Sequence, residues 1–496
     1  MYKIRQIKYA QNSTSVQVYK IENRKRVIVR HIGTARDEQE LSDLMSLGYD
    51  FIKKISKQLT FFDQKQSGNI LHLDKTEFIG VYYGFLYDLI SKLIIKIGFD
   101  KIKSNLLLDL VIMRIFEPAS KLRSIELLEE YFGIKHRRQS YYDYASQWLS
   151  LKSKIERITL DFAKNHYAFE FDLLFYDVTT LYFETFQEDE LRRNGFSKDN
   201  KSQQPQILVA LMVNKDGFPI AYELFSGNTF EGHTIVPVIK SFIDKNQIKA
   251  FTVVADAAMI SAENIEALRE QNIHYIVGAR LSNVSADLID QIDKKILRED
   301  GKSIRIKTDK GYLICSYSSL RYRKDKYEME KQIEKAKFVI NNPSKGKKLK
   351  FTKSDGLKLE LNQKLIAKTK KLLGIKGYYT DLEEQIVSNN TIMERYHELY
   401  KIEQAFRVSK SDLQTRPIFH FKEEPIKLHL LICFMALVIS KHIELSSGSS
   451  IKKFIHECKK VTDARIINLL TGKEMRIRAK LTPELAKILP KFDLLT

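Results

Sequence analysis

Three carboxylate residues stand where the sequence pattern predicts rigid elements. Asp177 lies inside the apolar run LLFYDVTTLYF, Asp256 ends the apolar run FTVVAD, and Glu403 lies in the helical pattern YHELYKIEQAFRVSKSDL. Converging carboxylates supply the hard oxygen ligands that Mg²⁺ prefers, and without a metal they would repel one another. Two such ions roughly 3.5–4 Å apart form the arrangement that catalyses phosphoryl transfer. The three residues are therefore candidate metal ligands.

Each of these residues also has a purely structural explanation. Asp177 could pair with a buried arginine, and Asp256 could cap the turn that follows it. Glu403 could form an ion pair with Arg407, one helical turn further on. A carboxylate in the middle of an apolar strand is nevertheless costly to bury without a partner. The order of a strand carboxylate, a strand-end carboxylate and a helix carboxylate favours a common site.

The pattern around Glu403 predicts a long helix that begins near Asn390. Tyr396, Glu403 and Lys410 are spaced by seven residues, which is two helical turns. All three therefore lie on one face of the predicted helix. Arg407 lies close to that face.

The elements that must position the carboxylates predict a mixed α/β sheet. Three β-rich runs, FDLLFYDVTTLYF, ILVALMVN and FPIAYELFS, predict strands, and the turn at Asp216–Gly217 makes the last two antiparallel. A helix over 233–244 and then strand, helix and strand HYIVGAR follow. Strand–helix alternation after consecutive strands is typical of a mixed sheet.

The first 168 residues predict a smaller β region and then helices. Residues 15–32 alternate around a turn at 22–25, which predicts a hairpin; a helix to about Lys57 and a polar linker over 58–80 follow. From Tyr82 to about His166 the pattern is helical. Two helices in this stretch fit either a DNA-binding helix-turn-helix or an ordinary helical hairpin. The first begins after Ser120, the second is SYYDYASQWL, and GIKHRRQS connects them.

The net charge of +20 indicates a polyanionic partner, either nucleic acid or an anionic membrane. Residues 321–376 hold 18 Lys and Arg against 6 Asp and Glu, interleaved with tyrosines, a combination that can hold phosphates and stack on bases. A solvated basic lobe is the alternative; a membrane-surface helix would need an apolar stripe that is missing. The first 13 residues lack the apolar region of a signal peptide, and the three cysteines lie far apart. We expect a cytoplasmic protein with no membrane partner.

At these residues the sequence resembles the DDE transposases of bacterial insertion sequences. The similarity is to the branch with the signature Tyr-x2-Arg-x3-Glu-x6-Lys, which here reads Tyr396, Leu399, Glu403 and Lys410. Leucine thus replaces the arginine of the signature. FYDVTTLYFE resembles the first-aspartate motif and VVADAAMIS the second.

The resemblance implies a ribonuclease-H-like mixed sheet core, interrupted by a β-rich insertion, with an N-terminal β-hairpin and helical region and a helical C-terminus. It implies catalysis by Asp177, Asp256 and Glu403 with two Mg²⁺ ions, for which Mn²⁺ could substitute. Tyr396, Arg407 and Lys410 would contact DNA. The partners implied are terminal inverted repeats and target DNA, held by a homodimer in a paired-end complex. The implied location is the bacterial cytoplasm, at the nucleoid when DNA is bound.

The function implied is Mg²⁺-dependent strand cleavage at element ends, followed by strand transfer to target DNA. A catalytically inactive DNA-binding remnant or regulator of transposition is one alternative, because of Leu399. A structure-specific nuclease of the same fold is another. We expect six regions: 1–80, hairpin and helix; 81–168, helical; 169–280, first part of the core; 281–376, basic insertion; 377–445, second part of the core; and 446–496, helical C-terminal region.

Overall fold

The computed structural model describes residues 2–9, 13–56, 75–170, 172–196, 203–248, 251–259, 261–342, 349–355, 358–469 and 472–494. The chain forms two compact units. One comprises Met1–Lys92, Ile125–His136 and Lys452–Thr496, and the other Leu93–Ser124 and Arg137–Ile451. The predicted mixed α/β architecture, with a large mixed sheet and a helical C-terminus, is confirmed.

The N-terminal elements are a three-stranded sheet, a helix and a separate strand. Their bounds are β1 Tyr2–Tyr9, β2 Ser13–Glu22, β3 Lys25–Ala35, α1 Glu38–Ser56 and β4 Thr76–Tyr82. The predicted hairpin is confirmed as β2 and β3, and β1 pairs antiparallel to β2 as a third strand. Most of the predicted linker over 58–80 lies outside the described residues, and β4 occupies its end.

The helical stretch predicted after Tyr82 is confirmed. It comprises α2 Gly84–Ile97, α3 Asn105–Phe116, α4 Lys121–Phe132, α5 Arg138–Leu149 and α6 Lys152–Tyr167. Glycines with positive φ follow two of these helices, Gly98 after α2 and Gly133 after α4, as expected where a left-handed residue ends a helix. The hydroxyl of Ser120 accepts the Arg123 N–H at 3.3 Å, so this serine caps α4.

The large sheet begins with the segments that carry the aspartates. Its first elements are β5 Leu173–Tyr182, β6 Gln206–Asn214, β7 Pro219–Ser226, α7 Ile235–Asn246, β8 Phe251–Ala255, α8 Ala262–Glu270, β9 Ile273–Ala279 and α9 Ala286–Lys295. β5, β6 and β7 are antiparallel neighbours, whereas β8 pairs parallel to β5, and β9 parallel to β8. The strands are buried along nearly their whole length, which explains their continuous apolar runs.

The insertion extends this sheet and adds helices. It comprises β10 Ser303–Thr308, β11 Gly311–Tyr317, α10 Ser319–Asn341, β12 Thr352–Asp355, β13 Lys358–Leu361, α11 Gln363–Lys371 and β14 Ile375–Thr380. Within the described residues the sheet has eight strands, in the order β10-β11-β14-β9-β8-β5-β6-β7. The predicted strands are present, but the longest element is a helix, α10, which local alternation did not reveal.

The remaining elements are mainly helical. They are α12 Asn389–His397, α13 Tyr400–Arg407, a π-helical turn Val408–Asp412, α14 Glu423–Ser447, α15 Ile451–Lys459, β15 Asp463–Asn468, β16 Lys473–Arg478 and α16 Pro483–Ile488. The strands β16, β15 and β4 form a small antiparallel sheet. Among the described helices, α14 alone is long and apolar enough to cross a membrane, but 94% of its apolar window is buried inside the protein. It is therefore placed as a core helix.

Candidate active site

Strand pairing brings Asp177 and Asp256 next to each other. β5 runs parallel to β8, and Tyr176 opposite Ala255 is the last pair of their shared register. The residue after each of these two is one of the aspartates. Neighbouring strands lie about 4.8 Å apart, and side chains at matched heights point to the same face. The two carboxylates therefore lie side by side where β8 ends.

Backbone amides orient both carboxylates. The Val178 N–H donates to Asp177 Oδ1 at 2.8 Å, and the Ala257 N–H donates to Asp256 Oδ1 at 2.7 Å. Hydrogen bonds from N–H groups to an ionised carboxylate are among the stronger ones in proteins. These hydrogen bonds from the next backbone N–H therefore fix the orientation of each carboxylate.

Glu403 lies on the helix that covers this face of β5. Alternation places Asp177 and Thr179 on the same face of the strand. Thr179 lines a cavity of about 30 Å³ together with Phe406 and Lys410. Phe406 follows Glu403 by three residues, which is about one turn of α13. Glu403 is exposed, at one turn from the point where its helix contacts the strand of Asp177.

Tyr396 and Lys376 connect Asp256 to the insertion. The Tyr396 hydroxyl donates to Asp256 Oδ1 at 3.3 Å. The Lys376 ammonium lies over the ring of Tyr396, 4.7 Å from its centroid, and 5.4 Å from that of Tyr378. The two rings meet edge to face at 5.0 Å. Such cation–π and aromatic contacts each stabilise a pair by about 1 kcal/mol, so the four side chains form one packed group.

The electrostatics of Lys376 place Glu403 near the same group. Burial lowers the pKa of Lys376 from its usual value, and the charge of Arg321 lowers it further. Asp256 and Glu403 both act in the opposite direction, because they attract the ammonium. Burial and the neighbouring Asp256 carboxylate raise the pKa of Tyr396, so that its hydroxyl stays protonated. The partly buried Lys376 ammonium is therefore attracted by two of the three candidate carboxylates.

The three candidate carboxylates do not form a closed metal cluster. Within the described ranges, no group of three or more His, Cys, Asp and Glu side chains is positioned to hold a metal ion. The structure brings Asp177 and Asp256 together and places Glu403 on the covering helix, near Lys376.

The expectation of one continuous helix through Tyr396, Glu403 and Lys410 was wrong. α12 ends at His397 and α13 begins at Tyr400, so Tyr396 and Glu403 lie on different helices. Leu399, in the signature position of arginine, is 7% exposed; its side chain is packed into the core where the two helices meet. Lys410 lies in the π-helical turn, where the heptad relation no longer holds.

Arg407 is exposed at the end of α13. Among the ion pairs of the described residues, none joins it to Glu403. The structural explanation for Glu403 as a helix ion-pair partner is therefore not supported. The guanidinium of Arg407 faces solvent next to the turn that holds Lys410.

Sequence reasoning missed two residues that touch this group, Lys376 and Gly278. A Cβ on Gly278 would lie 2.5 Å from the Tyr396 hydroxyl and 3.2 Å from Ala257 Cβ; only glycine leaves room for the tyrosine to reach Asp256. Lys376 also lines a cavity of about 370 Å³ with Arg280, Arg321 and Lys368. The sequence did contain a signal for Lys376, because it is the last lysine of the basic segment and directly precedes the predicted strand GYYTDL.

The sequence matches a known protein family, and the structure has a distant match among solved structures. A model of the transposase DDE domain family matches residues 169–439, more than half of the chain. No curated protein matches the sequence. Among solved structures, the piggyBac transposase synaptic complex with hairpin DNA, determined by cryo-EM, has 11% sequence identity and a TM-score of 0.37. That match covers 82% of this chain and 74% of the other.

Proposed function

The chain belongs to the transposase DDE domain family, and on that premise we propose that it is an insertion-sequence transposase. It cleaves DNA strands at the ends of a mobile element and joins them to target DNA. The observation that carries the proposal is the parallel register of β5 and β8, which sets Asp177 beside Asp256. Glu403, on the helix above β5, completes the proposed catalytic set.

We propose that Asp177, Asp256 and Glu403 hold two Mg²⁺ ions, for which Mn²⁺ could substitute. Their carboxylate oxygens are the hard donors that Mg²⁺ takes, and two of the three are already adjacent and oriented by amides. When bound, the metal would activate the attacking oxygen and stabilise the leaving oxygen of a phosphodiester. The exposure of Asp256 and Glu403 leaves this edge of the sheet open to a strand of DNA.

The basic side chains around the carboxylates are proposed to hold the DNA backbone. Lys410 and Arg407 lie at the end of α13, and Tyr396 reaches Asp256 from α12. Lysine acts on phosphate as a point charge and arginine as a planar fork. The cavity that Lys376 lines adds further cations, among them Arg280, Arg321 and Lys368. The backbone phosphates of the DNA would thus meet several cations near the cleavage site.

Terminal inverted repeats and target DNA are the proposed partners, and a homodimer on paired ends is the proposed assembly. Sedimentation of the protein alone and with end-containing duplexes tests the assembly. One complex with two protomers and two duplexes is the expected species.

The function is tested on a plasmid that carries the gene's own flanking DNA. With Mg²⁺, wild-type protein should nick at the element ends and yield strand-transfer products, whereas Asp256→Ala should bind the ends without cutting them. The matched control is Glu270→Ala, an exposed carboxylate at the end of α8, which should cut normally. Full cleavage by Asp256→Ala would overturn the assignment. Cutting without joining would instead identify a nuclease, and binding without cutting by the wild type would identify an inactive remnant.

A further inference from the structure

The N-terminal sheet has one face covered by a helix. Val16 and Val18 of β2 and Ile32 of β3 are buried against Leu44 of α1. Because side chains alternate along a strand, the neighbours of these residues in β2, such as Gln17, must lie on the opposite face. The helix α1 packs on the valine side of this sheet.

The register of the strands defines the residues of this second face, called here the open face. Arg5 lies opposite Gln17, Lys3 opposite Tyr19, and the pairing with β3 adds Arg26 opposite Ile21 and His31 opposite Gln17. Two Arg5 guanidinium nitrogens donate to Gln17 Oε1 at 3.1 and 2.7 Å. Arg26 lies over the ring of Tyr19, 5.6 Å from its centroid. The open face is thus an ordered array of cationic, amide and aromatic groups.

The charge of this segment is one-sided. Residues 1–35 contain eight Lys and Arg residues and a single acid, Glu22. Glu22 pairs with Lys20 at 2.6 Å, and both lie on the side of the valines. In the described strands of the sheet, the open face therefore carries no carboxylate. A face that carries cations and no carboxylate is electrostatically complementary to an anionic partner.

The β2–β3 hairpin also projects beyond β1. β1 pairs with Ser13–Lys20 only, and residues 21–31 are all exposed. Asn23 and Arg24 have φ of 47° and 60°, the left-handed pair of a tight two-residue turn. Ile21 and Ile28 remain 53% and 51% exposed. A two-stranded ribbon with basic and apolar side chains extends from the open face into solvent.

We propose that this open face and its hairpin bind the major groove of duplex DNA and read its sequence, an inference that rests on the proposed function. The groove is about 12 Å wide and admits a two-stranded β-ribbon, as the projecting β2–β3 hairpin is. Strand spacing puts the outer strand axes of the three-stranded sheet about 10 Å apart. Arg5 and Gln17 have the side chains that bind guanine and adenine edges in pairs of hydrogen bonds. Lys3 and Arg26, at the border, contact phosphates, and the exposed isoleucines contact thymine methyl groups.

Selection from a pool of random 30-base-pair duplexes by the full-length protein tests this inference. The selected duplex and a scrambled duplex are then compared by fluorescence anisotropy at fixed salt. Arg5→Ala should lose about tenfold of the preference for the selected duplex, the scale of one bidentate base contact. Arg5→Lys keeps the charge but not the fork and should lose a similar share. The matched control is Lys8→Ala on the same strand but on the valine side, which should keep the preference within twofold.

Methylation of guanine N7, which lies in the major groove, should interfere with binding of the wild type but less with binding of Arg5→Ala. Thermal melts matching the wild type confirm that each variant is folded. Unchanged preference in Arg5→Lys, absence of any selected sequence, or equal binding of single strands would overturn the inference. If the wild type cleaves the plasmid at element ends but the Arg5 variants keep their preference for the selected duplex, only the DNA-binding role of the open face is rejected. If the Arg5 variants lose the preference but the wild type does not cleave, only the proposed transposase function is rejected.

Discussion

Replacing Tyr396 with phenylalanine separates two roles that this residue can have. Its hydroxyl donates to Asp256 Oδ1 at 3.3 Å, so it orients a proposed metal ligand; by its place in the signature motif it would instead contact a phosphate. Hydrogen bonds to charged groups contribute about 1.5–3 kcal/mol. The 3.3 Å length and the exposure of Asp256 put this one near or below the lower end. We therefore expect a loss of about 1 kcal/mol, about fivefold in metal affinity.

The assay is strand cleavage over a range of Mg²⁺ concentrations, combined with direct Mn²⁺ binding by electron paramagnetic resonance. If Tyr396 positions Asp256, Tyr396→Phe needs about fivefold more metal, binds Mn²⁺ more weakly, and regains the wild-type rate at saturation. The control is Tyr378→Phe, which removes the hydroxyl of the adjacent ring and should leave the metal requirement unchanged. A rate defect that no amount of metal restores, with normal Mn²⁺ binding, would refute the positioning argument and support the phosphate contact.

A second substitution reaches the same bond from the other side. Gly278→Ala would put a Cβ 2.5 Å from the Tyr396 hydroxyl, closer than such contacts occur, so the tyrosine must withdraw from Asp256. Since the hydroxyl itself remains in the protein, the metal requirement should rise at least as much as in Tyr396→Phe. Combining the two changes should add little, because residues that share one contact are not additive. Fully additive effects would mean that the glycine acts elsewhere.

Three further changes have defined outcomes. Lys376→Met should lower cleavage at least tenfold in the plasmid assay, because it removes a cation beside Asp256, and should lower stability by about 1–2 kcal/mol through the lost contacts with the rings of Tyr378 and Tyr396; full cleavage activity would contradict this. Burial lowers the pKa of Lys121 to about 7. Between about pH 7 and pH 10 the unfolded chain therefore holds a proton on this lysine that the folded chain has lost. The free energy of unfolding of the wild type should accordingly rise over that pH range. In Lys121→Met, denaturant unfolding at the two pH values should show a smaller rise. Lys350→Ala with Lys368→Ala should reduce the slope of log affinity against log salt by about 1.8 if each contacts one phosphate, whereas Lys294→Ala with Lys295→Ala on α9 should not.

The sheet and its two aspartates could be predicted from the sequence, because a strand that is buried on both faces is a continuous run of apolar residues. The strands β5, β6 and β8 are continuous apolar runs, so a carboxylate inside or at the end of one of them is conspicuous. The turn at Gly217, with φ of +79°, was equally visible. Which strands pair is not a local property, and the parallel pairing of β5 with β8 could be expected only from the strand–helix alternation.

The parts that escaped prediction depend on contacts between distant segments. Lys376 and Gly278 meet Tyr396 because β14 pairs with β9, a relation that no period in either segment encodes. Helix α10 escaped because only Met329, Ala336 and Val339 of its residues are buried, too few for an apolar stripe. The break before α13 escaped because a heptad spacing looks the same whether or not the helix is interrupted at Leu399.

The location of the basic segment changes how its role must be tested. Residues 321–376 hold a large share of the excess charge, and the cavity that several of them line lies beside Lys376. Removing the segment would also delete Ile375 and Lys376, the start of β14, which pairs with both β11 and β9. A deletion would therefore disturb the sheet next to Asp256 and would abolish activity whether or not the charge binds DNA. Single substitutions that keep the strands intact distinguish these causes, because a lost phosphate contact changes the salt slope and a damaged sheet changes the melting temperature.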